Sequence, residues 1–150
     1  MSLSALHVRV FQPEDAAAAV ALWRDCGVLR PWNDPYKDIA RKATVQPELF
    51  LVVTAAAGPA AQEALVATAM AGYDGHRGSV YYLAVAPDRQ RLAIGRMLMA
   101  AVEERLLALG CPKLHVLVRS SNLQVLDFYR KLGYQAEEAL CLGKRLIPDQ

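Results

Sequence analysis

The chain has 150 residues, 54% of them hydrophobic and 21% charged, with a formal net charge of +2. That length and apolar share predict one domain over residues 1–150, burying roughly 68–70% of the surface its unfolded form exposes without metal or disulfide staples. Lys and Arg are scattered rather than blocked, which speaks against a dedicated nucleic-acid surface and leaves room for a local anion site. No apolar run reaches the roughly 20 residues of a membrane span, and no basic-then-apolar leader opens the chain, so the expected setting is the cytoplasm. Cys26, Cys111 and Cys141 are odd in number, far apart and without metal-ligand spacing. They read as buried free thiols of a reducing compartment, and no metal is expected. A nucleophilic cysteine would need a histidine beside it in space.

Residues 6–11 alternate apolar and polar and predict a first strand. Pro13 opens a helix over 14–26 that stops near Gly27, with alanines, Val20, Leu22 and Trp23 as its buried face. Prolines flank residues 29–35, so that helix cannot continue; a short one follows over 35–42. Residues 48–56 and 63–73 are strand-like runs separated by Gly58-Pro59, a hairpin pattern. Asp74-Gly75 is a turn signal leading into a strand over 79–85. A helix over 94–109 gathers Ile94, Met97, Leu98, Ala101, Val102, Leu106 and Leu109 near one face, and Gly110 stops it. A strand over 113–118, a helix over 122–132 closed by Gly133, and a last strand over 139–146 complete the series. The order predicts a mixed α/β sheet rather than a regular βαβ alternation.

Between the strand at 79–85 and the helix at 94 stands Pro87-Asp88-Arg89-Gln90-Arg91-Leu92-Ala93-Ile94-Gly95-Arg96. A helix starting there presents unpaired backbone N–H groups and about half a positive charge. Ala93 and Gly95 keep side chains out of a ligand's way, while Gln90, Arg91 and Arg96 add donors. The unit suits a pyrophosphate. Neither the G-x-x-x-x-G-K-(S/T) loop nor a G-x-G-x-x-G in a leading βαβ unit is present.

Gln90-Arg91-Leu92-Ala93-Ile94-Gly95 resembles the acyl-coenzyme A loop of the GNAT superfamily of N-acyltransferases, (Q/R)-x-x-(G/A)-x-(G/A), and Val85-Ala86-Pro87 before it is what that family shows at the end of its central strand. Residues 122–134 resemble the second GNAT signature, with Asn122, Phe128, Tyr129, Lys131, Gly133 and Tyr134 matching and Val125 standing where alanine is usual. Residues 29–35, 72–78 and 142–147 are similar to a bacterial subgroup labelled YpeA-type. The chain departs from the usual loop at Ala93, where glycine is common. If that position needs positive φ, alanine costs roughly 1–2 kcal/mol there.

The resemblance implies a central, mostly antiparallel sheet splayed between its fourth and fifth strands and flanked by about four helices. It implies acetyl-CoA as the donor, held by Leu83, Ala84 and Val85, by Gln90, Arg91, Leu92, Ala93, Ile94, Gly95 and Arg96, and by Asn122 and Tyr129. It implies an amine acceptor and acetyl transfer by direct attack, with an amide near Val85 polarising the thioester oxygen. Tyr129 faces the leaving sulfur as its proton donor. The alternative is a coenzyme A-binding sensor of the same fold that has lost catalysis. The feature favouring it is the absence of an acid in the strand over 79–85, where such enzymes often place one.

An acceptor lysine, with a pKa of about 10.4, needs a base or a water relay; an α-amine near 7.7–8.0 needs little help. Tyr81 and Tyr82 point to opposite faces if the strand alternates regularly, so one of them lines the cleft. Tyr81, His76 and Asp34 are candidates to activate a water, with Asp74 as a turn residue beside them. Arg30, Trp32 and Asp34 lie where the fold puts its substrate lid and would suit a zwitterionic or amide-bearing acceptor. Exposed sheet edges suggest a homodimer through the C-terminal strand.

Overall fold

The computed structural model describes residues 5–56, 63–90 and 93–149. The Gly58-Pro59 turn, Arg91 and Leu92 lie outside these residues. Five strands form one sheet in chain order: β1 (Leu6–Val10), β2 (Phe50–Ala56), β3 (Glu63–Tyr73), β4 (Gly78–Val85) and β5 (Leu114–Val116). The first three pairings are antiparallel and β4–β5 is parallel. Four helices flank the sheet: α1 (Ala16–Asp25), α2 (Pro35–Lys42), α3 (Ile94–Ala108) and α4 (Leu123–Lys131).

Helix entry follows local chemistry. Pro13 starts a 3-10 turn over Pro13–Asp15 and the α-helix begins only at Ala16. Asp15 is then free to take the Gln12 N–H at 2.8 Å and to pair with Arg9 of β1 at 2.8 Å. The helix over residues 35–42 is present as read, because Asp34 accepts from the Tyr36 and Lys37 amides and Pro35 occupies the first helical position.

Both faces of the sheet are covered, so β2 is buried along nearly its whole length rather than alternating. Leu51, Val53 and Ala55 face the core shared with α3 and α4, with Ile94, Leu98, Val102 and Leu106 opposite. Phe50 and Ala84 face the α1 side with Ala19, Val20 and Trp23.

Beneath α1 lies the irregularity that shapes the molecule. The β3–β4 register shifts between Thr68 and Met70, and Tyr82 sits at φ 54°. A bulky residue in the left-handed region is strained. It is held by the Thr68 hydroxyl, which donates to Tyr82 O at 2.7 Å while accepting from Trp23 Nε1–H at 2.8 Å. The Trp23 and Tyr82 rings stack at 4.0 Å. β4 accordingly pairs with β5 only over Gly78–Val80, and its edge from Tyr81 to Val85 carries no strand on the β5 side.

Two expectations are corrected. Residues 139–146 form no strand: Leu140 and Leu142 are each 90% exposed and Leu146 is 83% exposed. The alternating pattern is there, but a strand also needs an edge to pair with, and this segment is tied down at both ends. Glu137 holds Lys113 and His115 at 2.6 and 2.9 Å, while Arg145 and Asp149 attach to the loop before α2 and to α2 itself. Nor are all three thiols buried, since Cys141 is exposed.

Candidate active site

Where β4 and β5 part, a cavity of about 640 Å³ opens between the sheet, α2 and α4. One half is lined by Leu83, Leu117, Val118, Arg119, Asn122, Val125 and Tyr129, the other by residues from α2 and the loop before it. The strand edge left open by the bulge forms its floor.

Tyr129 is packed edge-on between Phe128 and Tyr134, with ring centroids at 5.1 and 5.3 Å, and is only 6% exposed. Among the described residues its hydroxyl has no hydrogen-bond partner, and it lines the cavity. Burial pushes its pKa up to about 12, so it stays protonated across the physiological range. Asn122 caps α4 by accepting from Val125 N–H at 3.3 Å, which places it on the same wall.

The start of α3 provides the second feature. Its first closing bond runs from Met97 N–H to Ala93 O at 3.1 Å, so the amides of Ile94, Gly95 and Arg96 precede any intrahelical acceptor. Ala93 offers no side-chain cap and sits at φ 60°. The conditional cost read from the sequence therefore applies, and Ala93→Gly should raise unfolding free energy by about 1 kcal/mol, net of glycine's entropy. Urea denaturation measures it; no gain would mean the turn is unstrained. Gly95 is small for a different reason from ligand clearance. A Cβ there would stand 3.0 Å from Phe128 Cζ, so the glycine lets α3 pack on α4.

Other residues singled out in the sequence fall as follows. Arg30 and Tyr81 line the cavity. Trp32 is 51% exposed and does not line it. The Asp34 side chain is occupied capping α2, while its own N–H donates to Asp149 at 2.8 Å. Asp74 takes the His76 and Arg77 amides at the hairpin tip, both at 2.8 Å, at the end where β4 and β5 remain paired. Exposed His76 is there too. Ala84 is buried under α1, and Ile94 is buried in the α3 core. Arg96 is exposed on the first turn of α3. Val85 O receives Gln90 Nε2 at 3.1 Å and Cys26 Sγ at 3.2 Å, so the Gln90 amide turns back onto the strand. Arg91 and Leu92 lie outside the described residues.

Tyr81 and Tyr82 share a face instead of alternating. Tyr81 pairs across the sheet with Met70, which packs on the α1 side, and Tyr82 packs there too because the bulge inserts between them. Both line the cavity.

The acetyltransferase (GNAT) family profile matches residues 14–134. An acetyltransferase of Yersinia enterocolitica is 46% identical over 145 residues, covering 97% of this chain and 99% of that protein. One from Pectobacterium atrosepticum is 44% identical over the same shares. This chain belongs to the GNAT family of acetyltransferases. The fold is shared with solved structures. The ribosomal-protein-S18-alanine N-acetyltransferase of Escherichia coli superposes with a TM-score of 0.67 at 24% identity, covering 85% of this chain and 76% of its own. Ard1 of Thermoplasma volcanium gives 0.68 at 22% identity, covering 86% and 82%.

Sequence reasoning missed the most chemically loaded part of this acetyltransferase. Tyr82 Oη donates to Asp38 Oδ2 at 2.6 Å, and Arg41 donates to Asp38 Oδ1 at 3.0 Å. Burial first, and then the Asp38 carboxylate, push the Tyr82 phenol well above its usual range. Asp38, Arg41, Lys42 and Val45 all line the cavity. The spacing of three and four puts Asp38, Arg41 and Lys42 on one face of α2, the signal that could have found them, and Val45 follows just past the helix end. Arg41 also holds Asp149 at 2.6 Å, and that bond lowers the Asp149 carboxyl far below its ordinary value.

Proposed function

We propose that this chain is a single-domain, cytoplasmic enzyme of the YpeA-type subgroup. It moves an acetyl group from acetyl-CoA to a primary amine, with no nucleic acid or membrane as partner. The observation that carries this reading is one cavity holding both the protonated Tyr129 hydroxyl, unpartnered among the described residues, and the Asp38–Tyr82 pair, bounded by a strand edge that β5 does not cover. The residues present fit the donor. The amides at the start of α3, which have no side-chain cap, suit its phosphates, and the β4 edge beyond Val80, which pairs with β3 but not with β5, suits an amide-bearing arm.

Acetyl-CoA, when bound, supplies an activated acyl carbon and a thiolate leaving group. Tyr82 accepts a proton from the attacking amine as its own passes along the 2.6 Å bond to Asp38. The amine nitrogen forms the new C–N bond, the C–S bond breaks, and Tyr129 gives its proton to the departing sulfur. Backbone amides around Leu83–Val85 receive the carbonyl oxygen's charge. The sensor alternative rested on a missing carboxylate; Asp38 supplies one from α2 rather than from the strand. Thiol release from acetyl-CoA across an amine panel tests the reading. Coenzyme A binding with no turnover on any amine would support the sensor.

The chain's second copy is the partner proposed for residues 139–147. They carry exposed Leu140, Leu142, Leu146 and Ile147, and the same chain offers the unpaired outer edge of β5. Donor segment and open edge in one molecule allow a reciprocal two-fold exchange. Sedimentation should give a dimer at micromolar concentration and a monomer for Leu140→Asp/Leu142→Asp. A monomeric parent protein would remove the proposal.

A further inference from the structure

Among the described residues, the acceptor half of the cavity has more basic side chains than acidic ones in its lining. Asp38 is its one acid among the described lining residues, and both of its oxygens are occupied by Tyr82 and Arg41. Arg41 is further neutralised by Asp149, which pairs with Arg145 as well. Arg30 and Lys42 remain. Arg30 folds back on its own loop, donating to the Gly27 and Leu29 carbonyls at 2.9 and 2.8 Å. Lys42 has neither an ion pair nor a hydrogen bond among the described residues, and the Glu48 carboxylate acts on it only from beyond ion-pair distance.

The position of Lys42 is built rather than incidental. Its Nζ stands 3.7 Å from the point above Gly72 where a side-chain carbon would be, with Gln46 Oε1 at the same distance. The bare backbone of Gly72 lets the ammonium lie down on the sheet. Gly72 pairs with Ser79, two residues from Tyr81 along one face of β4. The ammonium thus ends the row that Tyr81 and Tyr82 begin. Burial lowers its pKa and outweighs the raising effect of Glu48, so the ammonium is short of hydration. The donor's phosphates do not explain it, because their cradle lies at the start of α3, beyond the opposite end of β4.

We infer that the acceptor is a small amine that carries a carboxylate, its amine directed to Tyr82 and its carboxylate to Lys42. This rests on the acetyltransferase reading above and narrows it. An incoming carboxylate restores to Lys42 the charge stabilisation that burial removed. A polycationic acceptor brings like charge into a site already positive, which is unfavourable.

The test compares an α-amino acid, its C-terminal amide and an aminoglycoside by acetyl-CoA-dependent thiol release, each corrected to its free-base fraction. The acid should exceed the amide at least tenfold in kcat/KM, with the difference in KM. Lys42→Met should bring that ratio to within about twofold, and Lys42→Arg should keep most of it. Equal or better use of the amide or aminoglycoside by the parent enzyme would overturn the inference. So would a ratio that survives in Lys42→Met with a parent-like melting curve. Either result leaves acetyl transfer itself intact; no turnover on any amine, with acetyl-CoA still bound, would end both.

Discussion

Tyr129→Phe is expected to lower kcat at least tenfold while acetyl-CoA affinity stays within about twofold. The substitution removes one oxygen from a ring whose packing against Phe128 and Tyr134 is otherwise preserved. Among the described residues that hydroxyl bonds to nothing, so no structural hydrogen bond is lost with it. What disappears is a proton for the departing sulfur, and general acid catalysis is worth roughly 10²–10⁴-fold. A tenfold floor allows a bound water to replace part of it. The pH profile provides an independent check. Because burial holds the phenol up to about 12, its protonated form persists through neutral and mildly alkaline pH and is lost only as pH approaches that value. Activity should therefore show no alkaline fall from Tyr129 near pH 10, the ordinary tyrosine range. Unchanged turnover in the variant, with product release shown to be fast, would remove Tyr129 from the chemistry.

Asp38→Asn should cost about 100-fold in kcat at pH 7. The isosteric amide keeps shape but cannot accept the proton that Tyr82 passes on. Its NH₂ group can also face the Tyr82 hydroxyl, replacing an acceptor at 2.6 Å with a donor. The deficit should shrink as pH rises through the acceptor's own pKa, because a larger share of the amine is then already free base. A deficit independent of pH would assign Asp38 to positioning α2 and Arg41 instead. Tyr82→Phe separates the two further. It breaks the relay but leaves the Asp38–Arg41 pair, so it should reproduce the pH-dependent part of the loss.

Local pattern carried most of the architecture. Asp34-Pro35 specified the start of α2 by capping chemistry, and the span of α3 followed from apolar periodicity ended by Gly110. Two failures share one cause. The alternation in residues 139–146 met every local criterion for a strand, yet strand pairing is supplied by a neighbour, and salt bridges from its flanks, Asp149 to α2 and Glu137 to β5, tie this segment down without giving it one. The alternation across Tyr81 and Tyr82 failed because a register shift, maintained by Thr68 and Trp23, turned both rings to one face.

The start of α3 and the α4 wall of the cavity were readable for the same reason that the span of α3 was. They are made of consecutive residues at a helix start and a helix face, where spacing alone fixes relative position. The opposite wall was not, since its carboxylate and its phenol are 44 residues apart and meet only through folding.

From the order of residues alone came the family, the mixed sheet and the start of α3, because each rests on near neighbours whose geometry the backbone dictates. Only the tertiary structure decided which carboxylate faces the cavity, where Lys42 comes to rest, and how β4 parts from β5. The last depends on Trp23, Thr68 and Tyr82 meeting across three separate elements, and hydrogen bonds of 2.7 and 2.8 Å between residues so distant have no signature in sequence spacing.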